Sequence, residues 1–474
     1  MNFASIEFGF LLITSFWLYW FVFRSRESQN LLLIVASALF YGWWDYRFLA
    51  LIAFSTWVDF WVGLKLDGTA KHKQRRAWMW LSVGVNLGLL GTFKYFNFFA
   101  ESLQAALFGL GIHAHTTTLQ LVLPVGISFY TFQTMSYTLD IYRGHLQPTR
   151  DFAAFAAFVS FFPQLVAGPI ERASNLLPQF LKDRTFNPQQ ATMGLQQILW
   201  GLFKKLVVAD NAAQVVDVIF AHYADLTPGM LAIGAFLFAI QIYGDFSGYS
   251  DIAIGTARLF GFTLQVNFKT PYFSSTISEF WQRWHISLSS WFKNYVYIPL
   301  GGNRGSAFRQ NRNIWITFLV SGLWHGAQWK FVIWGGLHSL FYSLEKVIAH
   351  RLPRPFSRVG LGKTLGVSIT FTVTTLAWIF FRAETTSDAW TYLLHLVRLD
   401  SPQQPMALDF PILAVTLSAV LLGIDFWTRR YHFPLAHLSE RIGPRTRWLL
   451  YYTLLAAILF LRPESSAEFI YFQF

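Results

Sequence analysis

The residues of this chain best suited to chemistry are His325 and His285. His325 lies about a dozen residues into an apolar tract, between Gly322 and Gly326. A neutral imidazole can take a proton from a hydroxyl and return it, and its ordinary pKa near 6.5 suits that exchange. An ionisable side chain kept at membrane depth is a functional-site hypothesis. The competing reading is a histidine hydrogen-bonded between helices. His338, in Trp334-Gly335-Gly336-Leu337-His338, reads as structural or as a partner of the first. His285 can reach His325 only if its own segment folds into the same bundle. Two histidines without a third ligand at close spacing do not make a catalytic zinc site, so no metal is expected.

Two further constellations carry less. Gly301-Gly302-Asn303-Arg304-Gly305 could cradle a phosphate through backbone N–H groups and an arginine. It lacks the lysine and Ser/Thr of a P-loop, and a basic loop at the membrane surface is the alternative. Asp245 and Asp251 are spaced so that they do not share a helix face, which argues against a paired acid and base and for ties to Lys, Arg or helix ends.

These residues need a membrane scaffold. Hydrophobic residues make up 54% of the chain, aromatics 19% and charged residues only 13%, well outside the balance of soluble domains. Roughly eleven charge-poor stretches approach the ~20 residues needed to cross a bilayer. The expectation is a single all-α polytopic domain over residues 1–474. Cysteine is absent, which excludes a disulfide framework, a thiolate nucleophile and a cysteine metal site. The net charge of +12 fits cytoplasmic loops facing anionic lipid rather than nucleic acid.

Along the chain, Arg24 to Glu27, Lys65 to Arg76 and the turn at Arg143 are basic, whereas the connectors near Trp44 and His113 are not. That alternation places the N-terminus outside and the basic loops in the cytoplasm. The first apolar stretch, Ile6 to Phe23, has no basic leader or small-residue cleavage pattern and reads as a retained span. From Phe152 to Gly168, Pro163 and Gly168 break a helix before it need cross, as in a re-entrant element. A proline-kinked ordinary helix is the alternative. Residues 267–313 are too polar to span. Trp281, Trp284, Ile286, Leu288, Trp291 and Phe292 could form the apolar face of helices lying in or dipping through the interface.

Three blocks resemble the signatures of the membrane-bound O-acyltransferase family: Phe280-Trp281-Gln282-Arg283-Trp284-His285-Ile286-Ser287-Leu288-Ser289, Tyr297-Ile298-Pro299-Leu300-Gly301-Gly302-Asn303-Arg304-Gly305, and Gly322-Leu323-Trp324-His325-Gly326. Asp245 to Gly255, Leu123 to Tyr130 and Val166-Ala167-Gly168-Pro169 resemble its bacterial polysaccharide-modifying branch. The likeness runs from about residue 4 to about 390 and weakens after about Asp400.

The resemblance implies roughly 11 transmembrane helices plus re-entrant or interfacial helices around a central tunnel. It implies His325 as the essential histidine, as general base or transient acyl carrier, and His285 as the second motif position. It implies acetyl-CoA, or an acylated intermediate derived from it, as donor substrate, with no bound cofactor. Arg283, Lys293, Asn303, Arg304 and Trp324 are the donor-side residues. The implied acceptor is an extracytoplasmic polysaccharide, alginate or another exopolysaccharide such as cellulose. The implied setting is the bacterial inner membrane, with membrane lipids, a periplasmic acetyltransferase or esterase-like partner and a polysaccharide biosynthesis complex. An acyl-group or lipid-linked sugar transporter, and a scaffold for such a complex, are the other classes this sequence admits.

Overall fold

The computed structural model describes residues 1–474 except 114, 116–117, 167, 352–360, 399–405, 407, 437–440, 466 and 471–474. Ala167 and Asp400 therefore lie outside the described residues. Regular structure among the described residues is helical. By Cα proximity the chain divides into two compact units, Met1–Leu195 with Ala253–Gln265, and Gln196–Ile252 with Val266–Phe474.

Three helical stretches are long and apolar enough to cross a membrane: Arg26–Asp67, Pro228–Leu259 and Gly362–Arg382. Ile6–Val22 and Ile412–Thr428 are shorter apolar helices. The expected count of roughly eleven spans is not reached on length and composition among the described residues. Several helices begin in polar sequence: Ala307–His325 starts with Arg309, Asn311, Arg312 and Asn313, which lowers its mean hydropathy.

In the first unit, α1 (Ile6–Trp17), α2 (Arg26–Asp45), α3 (Leu49–Asp67), α4 (His72–Leu90), α5 (Phe96–Gly109) and α6 (Ile127–Tyr142) follow in order. The chain from Leu119 is irregular until α6, where Pro124 precedes Gly126, whose φ is +74°. A Cβ at Gly126 would lie 2.9 Å from the Leu165 carbonyl, so only glycine fits. The helix break at Pro163 is present. α7 (Phe152–Ser160) stops, and the short α8 (Phe162–Leu165) restarts with the Phe162 N–H bonded to Ser37 Oγ at 3.0 Å. Asp59 on α3 accepts from Ser82 Oγ and from Asn86 Nδ2 of α4, and Ser82 Oγ lies 2.9 Å from Thr138 Oγ1 on α6. Buried polar side chains thus satisfy one another where three helices meet, and the short α9 (Ala173–Phe180) completes this unit's order.

The second unit holds the candidate chemistry. α10 (Pro188–Leu202) and α11 (Asp210–Ala221) are joined by a π-helical turn, Phe203–Ala209, and α12 (Pro228–Leu259) follows. Gly201 and Gly248 let these helices touch: a Cβ at Gly201 would fall 2.6 Å from the Gly248 carbonyl. Residues 267–313 contain α13 (Ile277–Arg283), α14 (Ile286–Phe292), a π-helical turn Lys293–Tyr297 and the start of α15 (Ala307–His325). Trp284, Leu288, Trp291 and Phe292 are buried in protein, so this segment packs into its own unit instead of merely lying on a surface. The apolar tract from Ile314 to Leu344 is an antiparallel pair, α15 and α16 (Trp329–Arg351), turning at Gly326, which caps α15. Beyond it come α17 (Leu361–Arg382), α18 (Thr386–Val397), α19 (Ile412–Thr428) and the helix Pro444–Leu461.

Candidate active site

The α15/α16 pair is fixed by two glycines. A Cβ on Gly322 would sit 2.2 Å from the Phe331 carbonyl oxygen, and one on Gly335 2.3 Å from that of Phe318. No residue larger than glycine lets the backbones approach so closely, the small-residue packing by which helices associate in lipid. A Cβ on Gly326 would meet the Phe331 ring at 2.1 Å. The glycines around His325 therefore serve helix-to-helix approach. Gly336 has more room, its nearest neighbour being Leu319 Cδ2 at 3.7 Å.

This contact sets His325 as the last residue of α15, only 3% exposed. Its ring is packed edgewise by Trp334 at 5.0 Å and Phe381 at 5.5 Å, with Trp324 at 5.0 Å. Trp324 also stands 6.1 Å from the ring of His285. The two histidines proposed from sequence thus share one tryptophan as a neighbour.

His285 is positioned by an unusual backbone. Its φ of 42° and ψ of 55° are left-handed, and only Thr270 among the other described non-glycine residues has a positive φ. Such a conformation costs on the order of 1–3 kcal/mol and collects at functional sites. It falls between α13 and α14 and is held by pairing with the segment after α12: Ile286 N–H donates to Asn267 O and Lys269 N–H to Arg283 O, each at 2.9 Å. His285 Nδ1 lies 3.1 Å from Asn267 Oδ1. That same oxygen accepts from Ser287 N–H and Oγ–H, while Asn267 Nδ2 donates to Ser250 Oγ. With Oδ1 as the acceptor, Nδ1 carries the proton and Nε2 keeps its lone pair. The segment lies outside the apolar spanning helices, and burial pushes the imidazole down to about 3, so His285 is neutral at cellular pH.

Phe246 packs edgewise on His285 at 4.6 Å, and Phe469 contacts Phe246 and Tyr249 at 6.0 and 4.2 Å. Below them is a charged network. Lys205 reaches Asp210 at 2.7 Å, Asp245 at 2.8 Å and the Ala467 carbonyl at 2.8 Å. Lys204 reaches Asp251 at 2.6 Å and Ser247 Oγ at 2.8 Å. The two carboxylates of α12 are thus tied to lysines of the π-helical turn. That wider turn lets consecutive lysines face separate aspartates.

The residues expected on the donor side are less gathered. Trp324 is in the histidine cluster. Arg283, two positions before His285, is held by Glu279 at 2.6 Å. Lys293 is exposed at the start of its turn, and Asn303 and Arg304 are exposed in a glycine turn whose Gly301, Gly302 and Gly305 have φ of 111°, 53° and 98°. Asn303 Oδ1 accepts from Tyr297 OH at 2.6 Å. Lys330, the one charge interrupting the apolar tract, donates to the Ala383 carbonyl at the end of α17 at 2.7 Å. Asn267 is the residue that sequence reasoning passed over: its partner His285 is 18 positions away, and no local pattern announces the pairing.

A sequence profile of MBOAT, the membrane-bound O-acyltransferase family, matches residues 145–365, which include both histidines. Over 100% of its length and 100% of the other, the chain is 38% identical to the probable alginate O-acetylase AlgI of Pseudomonas putida. The chain belongs to the membrane-bound O-acyltransferase family. It is also 38% identical to a peptidoglycan O-acetyltransferase of Helicobacter pylori, over 78% of this chain and 74% of that protein. Against a teichoic acid D-alanyltransferase of Streptococcus thermophilus it is 26% identical, over 54% of this chain and 68% of that protein. The protein is accordingly a membrane-embedded enzyme of the O-acyltransferase class.

Proposed function

We propose that this protein moves an acetyl group from acetyl-CoA, or an acylated intermediate derived from it, to a hydroxyl of an extracytoplasmic polysaccharide, with alginate first and another exopolysaccharide such as cellulose second. The observation that carries the reading is the pair of buried imidazoles around Trp324, one ending α15 and the other held by Asn267. His325 removes the acceptor hydroxyl proton as the oxygen attacks the thioester carbonyl; the C–O bond forms, the C–S bond breaks, and the proton passes to the departing thiolate. A transient acyl group on His325 itself is the other order of events. His285, with Nδ1–H bonded to Asn267, is the second imidazole packed near Trp324. The closed aromatic surroundings exclude water that would hydrolyse the donor. The exposed Arg304, with Asn303 and Lys293, offers cationic and amide groups to the phosphates of CoA from a cytoplasmic side. A periplasmic esterase-like protein completes transfer within a polysaccharide biosynthesis complex, in the bacterial inner membrane with the N-terminus periplasmic.

The names of the relatives support an envelope polymer as acceptor. Mass spectrometry of exopolysaccharide from a deletion strain tests the reading: loss of O-acetyl groups, restored by the wild-type chain and not by His325→Ala, is expected. Unchanged acetylation of every surface polymer in the deletion strain would overturn it.

A further inference from the structure

Where α3 ends and α4 begins, the two helices border an open cleft of about 790 Å³, lined chiefly by Trp61, Leu64, Lys65, Gln74, Trp78 and Leu81. Helical spacing makes its walls: Trp61, Leu64 and Lys65 share a face of α3, and Gln74, Trp78 and Leu81 share a face of α4. The rings of Trp61 and Trp78 meet edgewise at 5.0 Å, and Trp57 stacks on Trp61 at 6.3 Å. The Lys65 ammonium lies over the Trp61 ring, 5.5 Å from its centroid. The cleft is therefore graded, apolar and aromatic toward Trp61 and Leu81, cationic and polar toward Lys65 and Gln74. α3 closes a stretch apolar enough to cross a membrane, so this gradient runs from the hydrocarbon to the membrane surface.

The charge around the cleft is one-sided. From Phe60 to Met79 the chain carries Lys65, Lys71, Lys73, Arg75 and Arg76 against a single carboxylate, Asp67. Arg75 is engaged by the carbonyls of Leu66, Ile141 and Tyr142 at 2.7, 3.2 and 3.2 Å. Lys65, Lys71, Lys73 and Arg76 are exposed and form no ion pair among the described residues. A ligand that fits must bring negative charge and oxygen acceptors to the Lys65 end and hydrocarbon to the Leu81 end. Inorganic phosphate brings only the first and leaves the indoles uncovered. A choline headgroup sets its own cation against Lys65. An anionic phospholipid meets both demands, its phosphodiester accepting from the Lys65 ammonium and the Gln74 amide, its acyl chain lying along Trp61, Trp78 and Leu81.

We propose that the cleft between α3 and α4 is a binding site for one anionic phospholipid. The site does not depend on the acyl-transfer reading. The test uses the full-length protein in detergent, a photoactivatable phosphatidylglycerol, and mass spectrometry to map the cross-links. Labelling is expected to concentrate on peptides from residues 61–81 and to fall with unlabelled phosphatidylglycerol. It should persist against equal concentrations of phosphatidylcholine with the same chains, inorganic phosphate or acetyl-CoA. Lys65 is exposed, so Lys65→Gln keeps the fold. It should lower labelling of those peptides about fivefold relative to the rest of the chain, the effect of one basic group at an anionic lipid surface. Trp61→Leu, which removes the ring beneath Lys65 and stays apolar, should lower it about twofold. Lys182→Gln, at another exposed lysine, should leave it unchanged. Even labelling along the chain, an unchanged signal in Lys65→Gln, or equal competition by phosphatidylcholine would overturn the site. Displacement by inorganic phosphate or by acetyl-CoA would also overturn it, assigning the cleft to a free anion or to the thioester.

Discussion

Replacing Gly322 with alanine tests how the fold holds its chemistry. The added Cβ would lie 2.2 Å from the Phe331 carbonyl oxygen and 3.0 Å from its carbon. A tolerable C–H···O contact is about 3.3 Å, so α15 and α16 must separate by roughly 1 Å. Overpacking of this kind costs about 1–3 kcal/mol, which a membrane bundle survives. The consequence for catalysis is larger, because His325 is one helical turn beyond Gly322 and moves with it. A misplacement of ~1 Å costs on the order of a hundredfold in rate. The assay is acetyl transfer by membranes with matched amounts of inserted protein, at saturating donor, so that kcat is read. Gly336→Ala is the control: its nearest neighbour is 3.7 Å away, and activity should stay within about twofold of wild type. A Gly322→Ala protein with kcat within threefold of wild type would refute the claim that this glycine contact positions His325.

Lys205→Met leaves Asp210 and Asp245 buried without their shared cation and should destabilise the protein by about 3–5 kcal/mol, read as a lower melting temperature in detergent; an unchanged value would contradict a structural role for the triad. His285 refuses a proton until about pH 3, whereas an unfolded histidine accepts one near 6.5. Its contribution to stability is complete above about pH 6.5 and drains as pH falls toward 3, so His285→Asn should flatten the acid side of the melting-temperature profile. Identical acid slopes for the two proteins would contradict that. Arg304→Ala should raise KM for acetyl-CoA about five- to tenfold with kcat nearly unchanged, as expected of a group that holds the donor equally in ground and transition states. An effect confined to kcat would place the arginine elsewhere in the cycle.

Much of this architecture is legible in the sequence where the signal is local. Pro163 marks the break between α7 and α8, and Asp245 and Asp251 do find lysines; the sequence leaves open whether His285 and His325 meet, and the fold brings both to Trp324. What escapes depends on distance or on backbone. The left-handed His285 follows from pairing with residues 267–269, which a helical reading of Trp281 to Phe292 gives no reason to expect. The turn at Gly326 is hidden in a continuous apolar tract, because hydropathy does not distinguish one long helix from two packed through glycine. Trp284 and Leu288, expected on the apolar face of helices lying in or dipping through the interface, are covered by protein, and an amphipathic face alone does not tell lipid from protein as its cover. The count of spans is not reached on length and composition among the described residues for a related reason: α15 begins among arginines and asparagines and still carries a buried histidine at its other end.

The central claim is that His325 is where acyl transfer happens. The most direct measurement is release of CoA from acetyl-CoA by the purified protein in lipid nanodiscs, with and without a hydroxyl acceptor, for wild type and His325→Gln. Acceptor-dependent release by the wild type and a fall of at least a thousandfold in a folded His325→Gln protein are predicted. Turnover by that variant within tenfold of wild type would contradict the account.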